Sequence, residues 1–556
     1  MKVKAKILTL VLSVFSISIA SANVSLRNGN FFIGYTDLIY PGGFEPKVER
    51  VYNSKTPYKG IFGWGWGTEY EVYLTVGVDG SVILNEYGGG AQNRFYPKNF
   101  SEKALQQGVN RLVKVAQKAG AIGSGSQLKN YQQKLMKDSV FRNTEWQKYL
   151  AQGKIKPVDI KTGTRFYSNR FSFQSIVKAK KGFRRIYENG KSEAYSDDGK
   201  LIQVTDKNNN FLKFNYYKNG NLASAVDNFN RKIVFKFNRQ GLVSEIIGES
   251  KKKASYQYNK SDQLVLSRDV DGNTYRYSYD KRHNMKQIAY SDKTTLEVDY
   301  YPQSKNENVK SVKDRDGSVT DYSYQLKKKD RSHFVVSLQA KNPQGKVFSK
   351  SSYEYMLKTK KTGEEWTYRM IANVDGLTTD TTYHPEFGLP VRIKRGSDLS
   401  TFKYDNRGHV IQKNTPSELV RLRYDPSVGK VAKVMRQSKR GKKERNWSEF
   451  KYDKSGNLVF AKNSEKQGVK LFYDRNGRIS SMVDQNKRAI YFKYNENSKP
   501  VEIKDPKLGA IRVKYKNSGE VASVESSAGR KIALKVTSAF QNLLDIIRPA
   551  GVTLSF

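Results

Sequence analysis

The sequence predicts an all-β protein, a long antiparallel sheet of chained hairpins with a β-rich N-terminal segment and a short helical insertion. Three observations predict it. Aromatic residues recur every 21 residues, the residues leading into each aromatic alternate apolar with polar, and a glycine follows many of the aromatics four positions on. Alternation with a period of two gives a strand one apolar and one wet face, and glycine supplies the positive φ of a tight turn.

Residues 1–22 read as a secretory leader. Lys2, Lys4 and Lys6 precede an apolar run from Ile7 to Ile19, and Ala20-Ser21-Ala22 offers a cleavage site, so the mature chain is expected to begin near Asn23. The run is short for a membrane span of about 20 residues, no later segment is apolar enough to cross, and no cysteine follows for a lipid anchor. The expected location is secreted, periplasmic or cell surface.

Residues 23–100 are strand-like and glycine-rich. Residues 101–155 carry the helical stretch: Leu105, Val109, Leu112, Val113 and Ala116 share one face, Gly123-Ser124-Gly125 breaks the run, and Leu128, Tyr131 and Leu135 begin a second helix.

Residues 156–556 are the repeat array. Tyr195, Tyr216, Phe237, Tyr258, Tyr279 and Tyr300 keep the 21-residue step, as do Tyr452, Tyr473, Tyr494 and Tyr515. Gly199, Gly220, Gly241, Gly456, Gly477 and Gly519 follow their aromatics by four residues. Asp or Asn beside the aromatic (Asp280, Asp405, Asp425, Asp453, Asp474, Asn495) can bond backbone two residues on, and the second strand of each unit ends in another turn at Asp206, Asp227, Asp484 or Asp271-Gly272. From about 325 to 400 the phase blurs, although strand-like runs such as Phe334–Leu338 persist, and longer hairpins of the same sheet are expected.

Composition excludes several chemistries. There is no cysteine for a disulfide, a cluster or a thiol nucleophile, and His283, His333, His384 and His409 sit in dissimilar contexts, so neither metal nor cofactor is expected. No Gly-x-Ser-x-Gly elbow occurs. Asp197-Asp198 and Glu364-Glu365 have the chemistry of an acid/base couple, but turn surroundings favour capping and solvation. Gly63-Trp64-Gly65-Trp66-Gly67 lacks the Lys-Ser/Thr of a phosphate loop and reads as a tight corner with both tryptophans in the core. The tyrosine ladder could stack sugar rings, yet its phase favours the core of the sheet. No catalytic residue is assigned and no enzymatic activity is expected.

Tyr-Asp, glycine at the fifth position and a period near 21 together resemble the YD repeats of the Rhs and teneurin-like superfamily. Tyr35-Thr36-Asp37-Leu38, Arg50-Val51-Tyr52-Asn53-Ser54 and Gly60–Gly67 look like the segment that precedes the repeats in bacterial Rhs proteins. The resemblance covers roughly 30–96 and 187–525. It implies a spiralling sheet forming a partial or closed β-shell, in many members around a C-terminal toxin. Here the repeats run almost to Phe556 and the Asp-Pro-x-Gly boundary motif is not recognisable, with Asp425-Pro426 and Asp505-Pro506 fitting ordinary turns. An open sheet or incomplete shell without its own toxin is expected.

The formal charge is +46, from 99 Lys and Arg against 53 Asp and Glu. Lys213, Lys236, Arg276, Lys493, Arg512 and Lys514 occupy the non-aromatic strand face, and clusters stand between strands at Lys251, Lys252 and Lys253, at Lys327, Lys328, Lys329 and Arg331, at Lys358, Lys360 and Lys361, and at Lys439, Arg440, Lys442 and Lys443. Hairpin tips aligned in an array would form a basic edge for a polyanion, such as lipopolysaccharide or an acidic glycan. The expected function is an exported scaffold for cell-surface binding or adhesion. The alternative is a shell that encloses or chaperones a separately encoded effector protein.

Overall fold

A computed structural model describes residues 23–526 apart from 41–45, 57, 87–90, 169–172, 250–251, 330, 440–444, 496–497 and 516–520. The predicted leader, Lys251, Arg440, Lys442, Lys443 and Gly519 lie outside the described residues.

From Tyr73–Val76 to Val521–Ser526, 36 strands form one antiparallel ladder in which every strand pairs with the next in the chain. Among the described residues the two end strands are not paired with each other, so the ladder is not closed. It begins inside the segment read as N-terminal, because Tyr73–Val76, Val82–Glu86 and Ala91–Pro97 are its first strands. The stretch of blurred phase stays within it as long hairpins, such as His333–Lys341 paired with Val347–Thr359.

Each repeat aromatic sits at a β-bulge. The register shifts immediately before Tyr195, Tyr216, Phe237, Tyr258, Tyr279, Tyr452, Tyr473, Tyr494 and Tyr515. A bulge adds local twist, and repeated bulges of one kind coil the sheet in one sense. The turn that follows is held as its residues dictate: Asp474 Oδ1 accepts from the amides of Asn476 at 2.9 Å and Arg478 at 3.0 Å, and Gly477 has φ +75°. At the opposite strand ends Asp206, Asp227 and Asp484 do the same. In the turn assigned to Asp271-Gly272 the capping carboxylate is instead Asp269, which accepts from the amides of Asp271 and Asn273.

The tyrosine hydroxyls have a function that the phase alone did not show. Tyr216, Tyr258, Tyr279, Tyr473, Tyr494 and Tyr515 each donate to a backbone carbonyl 15 residues earlier, respectively Leu201, Val243, Leu264, Leu458, Ile479 and Pro500. Each ring fills the aromatic face while its hydroxyl ties one repeat to the one before.

The coil brings distant repeats together edge to edge. Turns after the aromatics lie on one edge of the ladder and the remaining turns on the other. On that second edge, the turns at 187–191 and 206–210 meet first-edge turns from much later in the chain. Arg407 Nη1 donates to Glu188 Oε1 at 2.8 Å, Asn457 Nδ2 to Asn208 Oδ1 at 3.0 Å, and Asn210 Nδ2 to the Asn476 carbonyl at 3.1 Å. These pairs are 219, 249 and 266 residues apart. Opposite edges in contact make a spiral with a seam between windings.

The N-terminal segment forms a four-stranded sheet of Asn23–Ser25, Asn30–Ile39, Lys47–Asn53 and Trp66–Thr68, which packs on the aromatic face of the early repeats. Phe62 meets Tyr256 with centroids 5.0 Å apart, Tyr70 meets Phe214 at 5.0 Å and Trp66 meets Tyr277 at 5.3 Å. Only one of the two tryptophans expected in the core is fully there. Trp66 is 0% exposed, whereas Trp64 is half-buried and stacks on His283 at 4.8 Å. A second core lies along the late repeats, around Val434, Phe450, Leu471, Met482 and Ile490.

The insertion holds three helices rather than the two that were anticipated: α1 (Glu102–Lys118), α2 (Ser126–Lys137) and α3 (Ser139–Ala151). Asp138 ends α2 and also caps α3, accepting from the Phe141 amide at 2.9 Å. That single-residue junction hid the third helix, whose Trp146 and Tyr149 are buried with Leu105, Val109, Leu112, Ala116 and Leu135. The ladder passes beneath the insertion, since Phe166 and Tyr167 pair with Pro97 and Tyr96.

Candidate functional site

The outward face is the charged one. Lys213, Lys236, Arg276, Lys493, Arg512 and Lys514 are exposed, the alternating positions having turned them away from the aromatics. The basic clusters do not share one edge. Lys327, Lys328, Lys329 and Arg331 form a tip on the edge of the aromatic turns, whereas Lys252, Lys253 and Lys439 lie at the other edge, because strand direction alternates along the ladder. Lys253 pairs with Glu245, and Lys439 Nζ donates to Asn414 Oδ1 at 2.6 Å and to the Thr415 carbonyl at 2.8 Å. The tip at 360–364 is used internally: Lys361 pairs with Glu102 of α1 at 2.9 Å, and Arg142 of α3 donates to the Thr362 carbonyl at 2.9 Å.

The aromatic face is covered unevenly. Along Leu212–Tyr300 the aromatic face shares one core with the N-terminal segment, in which Leu212, Phe214, Ile233, Phe235, Tyr256 and Tyr277 are buried and Tyr216, Phe237, Tyr258, Tyr279 and Tyr300 partly so. Between Val319 and Tyr404 the same face continues through direct cross-strand pairs, Leu326 with Phe334, Phe334 with Tyr355, and Tyr355 with Met370. Here Tyr322, Tyr324, Phe334, Leu338, Tyr353, Tyr355, Met370, Ile393 and Phe402 are only half-buried. Phe334 and Tyr355 stack at 5.2 Å, and Leu326 is 54% exposed. Arg27 of the N-terminal segment and the helical insertion meet this stretch around 359–365, whereas Phe334 and Tyr355 belong to none of the buried cores of the described residues.

Where the N-terminal segment does reach, a buried ion pair fixes it. Arg50 and Asp37 are both inaccessible; Arg50 donates to Asp37 through Nε at 2.6 Å and Nη2 at 3.1 Å, to Tyr277 at 3.0 Å and to Ser267 at 2.7 Å, and Tyr256 donates to Asp37 at 2.8 Å. Burial raises the Asp37 pKa. That of Arg50 is held above its ordinary value, since the attraction of Asp37 outweighs the burial that opposes its charge. Nearby, burial pushes Glu71 up to about 7 although it accepts from Tyr58 and from the amides of Ile61 and Thr68. Between the segment and the first repeats lies a cavity of about 540 Å³, lined by Lys47, Glu69, Glu86, Arg185, Lys191 and Glu193 among others. Burial acts to raise Glu193, but Arg185 at 3.1 Å and Lys191 at 3.2 Å hold its carboxyl below the usual range.

The paired acids are parts of turns. Asp197 accepts from the Gly182 amide at 2.7 Å and from Lys178 at 3.0 Å, and Glu364 accepts from Tyr96 at 3.3 Å and Thr362 at 3.0 Å. No group of three His, Cys, Asp or Glu suited to a metal ion occurs among the described residues.

A family model described as RHS Repeat matches residues 258–295, within the 21-residue phase, and one described as a domain of unknown function (DUF6531) matches residues 22–95. Residues 258–295 are thus an RHS repeat within the 21-residue array. No curated protein matches this Rhs-repeat chain. Among solved structures it is similar to the Photorhabdus luminescens Tc holotoxin pore, at 11% identity and a TM-score of 0.39 over 89% of this chain and 29% of that one. It is also similar to the TcdB2-TccC3 complex, at 11% identity and a TM-score of 0.35 over 89% and 31%. The chain thus spans about three-tenths of the length of those structures.

Two features of the Rhs-repeat chain had weak signals in the sequence, and a third had none. The preference for tyrosine over phenylalanine at the repeat position pointed to a needed hydroxyl. Arg50 and Asp37 stood inside apolar strands, where a charge requires a counter-charge. The seam residues gave no local signal, because their partners are two hundred residues away. Among the described residues no helix is long and apolar enough to cross a membrane.

Proposed function

We propose that this Rhs-repeat protein is an exported, non-catalytic scaffold that shelters a separately encoded effector polypeptide against its half-exposed wall between Val319 and Tyr404. One observation carries the reading: the aromatic face joins a buried core where the N-terminal segment lies on it, whereas Phe334, Leu338, Tyr353, Tyr355 and Met370 in this stretch are half-exposed and belong to none of the buried cores of the described residues. An apolar wall of this size left wet is costly at about 25 cal/mol per Å², and a bound polypeptide offsets that cost. The test is co-expression with the product of an adjacent reading frame. Phe334→Ser with Tyr355→Ser should release the co-purified polypeptide and leave the unfolding temperature within a few degrees of wild type. Equal retention by that variant defeats the reading.

The basic tip favours a second reading, binding at a cell surface to lipopolysaccharide, an acidic glycan or another polyanion. Lys327, Lys328, Lys329 and Arg331 are exposed on one turn, and none of the four has an ion pair among the described residues. Retention on heparin above physiological salt, lost on Lys327→Ser with Lys328→Ser and Lys329→Ser, supports it; elution at low salt removes it. Export is tested by the N-terminus of secreted protein, expected near Asn23.

A further inference from the structure

The outward face of the late repeats departs from the pattern that the other repeats keep. The residue just before the repeat aromatic is exposed and polar at Asn215, Lys236, Gln257, Ser278, Asp299, Lys451 and Lys493, but before Tyr473 it is Phe472. Phe472 is 49% exposed, and Tyr491, on the next strand but one, is 47% exposed. The register sets Phe472 opposite Ser481 and Ser481 opposite Tyr491, so the two rings stand in one row across Gly468–Tyr473, Ile479–Asp484 and Ala489–Tyr494 with a small residue between them. At about 4.8 Å per strand, their backbones are roughly 9.6 Å apart. A third outward ring, Phe460, lies over Gly468, with Cε2 3.7 Å from where a Cβ on that glycine would stand.

The positions around these rings are basic. Lys470 stands opposite Phe460 on one side and Val483 on the other, Lys451 opposite Phe460, and Lys504 opposite Tyr491. All three lysines are exposed, and among the described residues none of them has an ion pair. The carboxylates described on this part of the outward face, Glu449 and Glu502, each serve two cations already: Lys433 and Lys462 for the first, Lys493 and Arg512 for the second. Unpaired positive charge is thus interleaved with exposed rings. We propose that the outward face around Phe472, Tyr491 and Lys470 binds single-stranded nucleic acid, with bases stacked on the rings and phosphates on the lysines. An open sheet whose aromatics stack successive bases is a platform that suits such a strand, and stacking tolerates any sequence because every base has a π-face. A duplex keeps its base faces inside its own stack, which leaves the rings nothing to meet. An acidic glycan would use the lysines, but its hydroxyls call for directed hydrogen-bonding groups, and the row between the rings offers Ser481 alone.

This face is separate from the wall at Phe334 and from the tip at Lys327, so its test depends on neither reading. Fluorescence anisotropy of the full chain is measured with labelled oligothymidylate, with an abasic chain of equal length and phosphate number, and with the duplex of oligothymidylate and oligoadenylate. The single strand should bind roughly tenfold more tightly than either, because stacking on the rings adds to the phosphate contacts. Phe472→Ala and Tyr491→Ala should each weaken that binding about tenfold, the size expected for one lost stack, whereas Phe472→Tyr should keep it. Lys470→Ser with Lys504→Ser should reduce the slope of log affinity against log salt by about 0.7 for each lysine removed. Both rings are exposed, so the unfolding temperatures of the ring variants should match wild type; should a variant fail to fold, the comparison of abasic and base-bearing chains on wild type decides. Equal affinity for the abasic chain, or ring variants that bind as wild type does, overturns the proposal. Heparin binding that the ring variants weaken as much as they weaken oligothymidylate binding assigns the face to an acidic glycan and overturns it too.

Discussion

His409 donates through Nε2 to Glu188 Oε2 at 2.7 Å across 221 residues of sequence, and its Nδ1 meets Asp405 Oδ2 at 2.8 Å. One imidazole therefore joins two carboxylates from two windings. Its ring lies 4.3 Å from Tyr424 in a stack and 4.6 Å from Phe173.

This contact should make the seam sensitive to pH. Burial opposes charging of His409, but its bonds to Glu188 and Asp405 outweigh that, and its pKa is raised from 6.5. A raised pKa contributes stability that is fully present below the unfolded value and is lost as pH rises through the folded one. Amide exchange at 187–191 and 405–409 should therefore accelerate above about pH 6.5, beyond the intrinsic rise, and His409→Gln should abolish the extra acceleration. An unchanged pH profile in that variant would refute the assignment.

The repeat hydroxyls can be removed singly. Tyr473→Phe deletes the donor to the Leu458 carbonyl and should cost about 1 kcal/mol, read as faster exchange of the amides flanking that hairpin. Tyr473→Ala also empties part of the aromatic face and should cost about 3–5 kcal/mol. Equal effects of the two would mean that the hydroxyl contributes nothing.

Breaking the Arg50–Asp37 pair should be expensive. Either Arg50→Met or Asp37→Leu strands a charge in the core, at about 3–5 kcal/mol, and the double variant should be more stable than either single one. A double-mutant cycle by chemical denaturation measures this, and additive losses would contradict it.

Two glycines separate turn strain from seam contact. Gly241 and Gly477 both have φ +75°, but a Cβ at Gly241 meets open space while one at Gly477 would fall 2.1 Å from Asn208 Nδ2. Gly241→Ala should cost only the left-handed penalty of about 1–2 kcal/mol. Gly477→Ala should cost more and also expose the turn at 206–210 to proteolysis. Identical behaviour would mean that the windings do not touch there.

Much of the ladder is legible in local pattern. The alternation around Leu212, Phe214 and Tyr216 gives strand, face and turn together, because a period of two can place those residues only on one side. The third helix was hidden because Asp138 serves as end and start at once. A single common basic edge was not realised, because the tips at Lys327 and Lys439 follow strands that run in opposite directions.

The sequence by itself determined the repeat, the sheet and the outward charge, since each rests on neighbours within about 21 residues. Only the tertiary structure decided which repeats meet. The coil accumulates small twists over many strands, so the pairing of Glu188 with His409, the contact of Lys207 with the Gly456 carbonyl, and the half-exposed wall at Phe334 and Tyr355 depend on a sum that no single repeat contains.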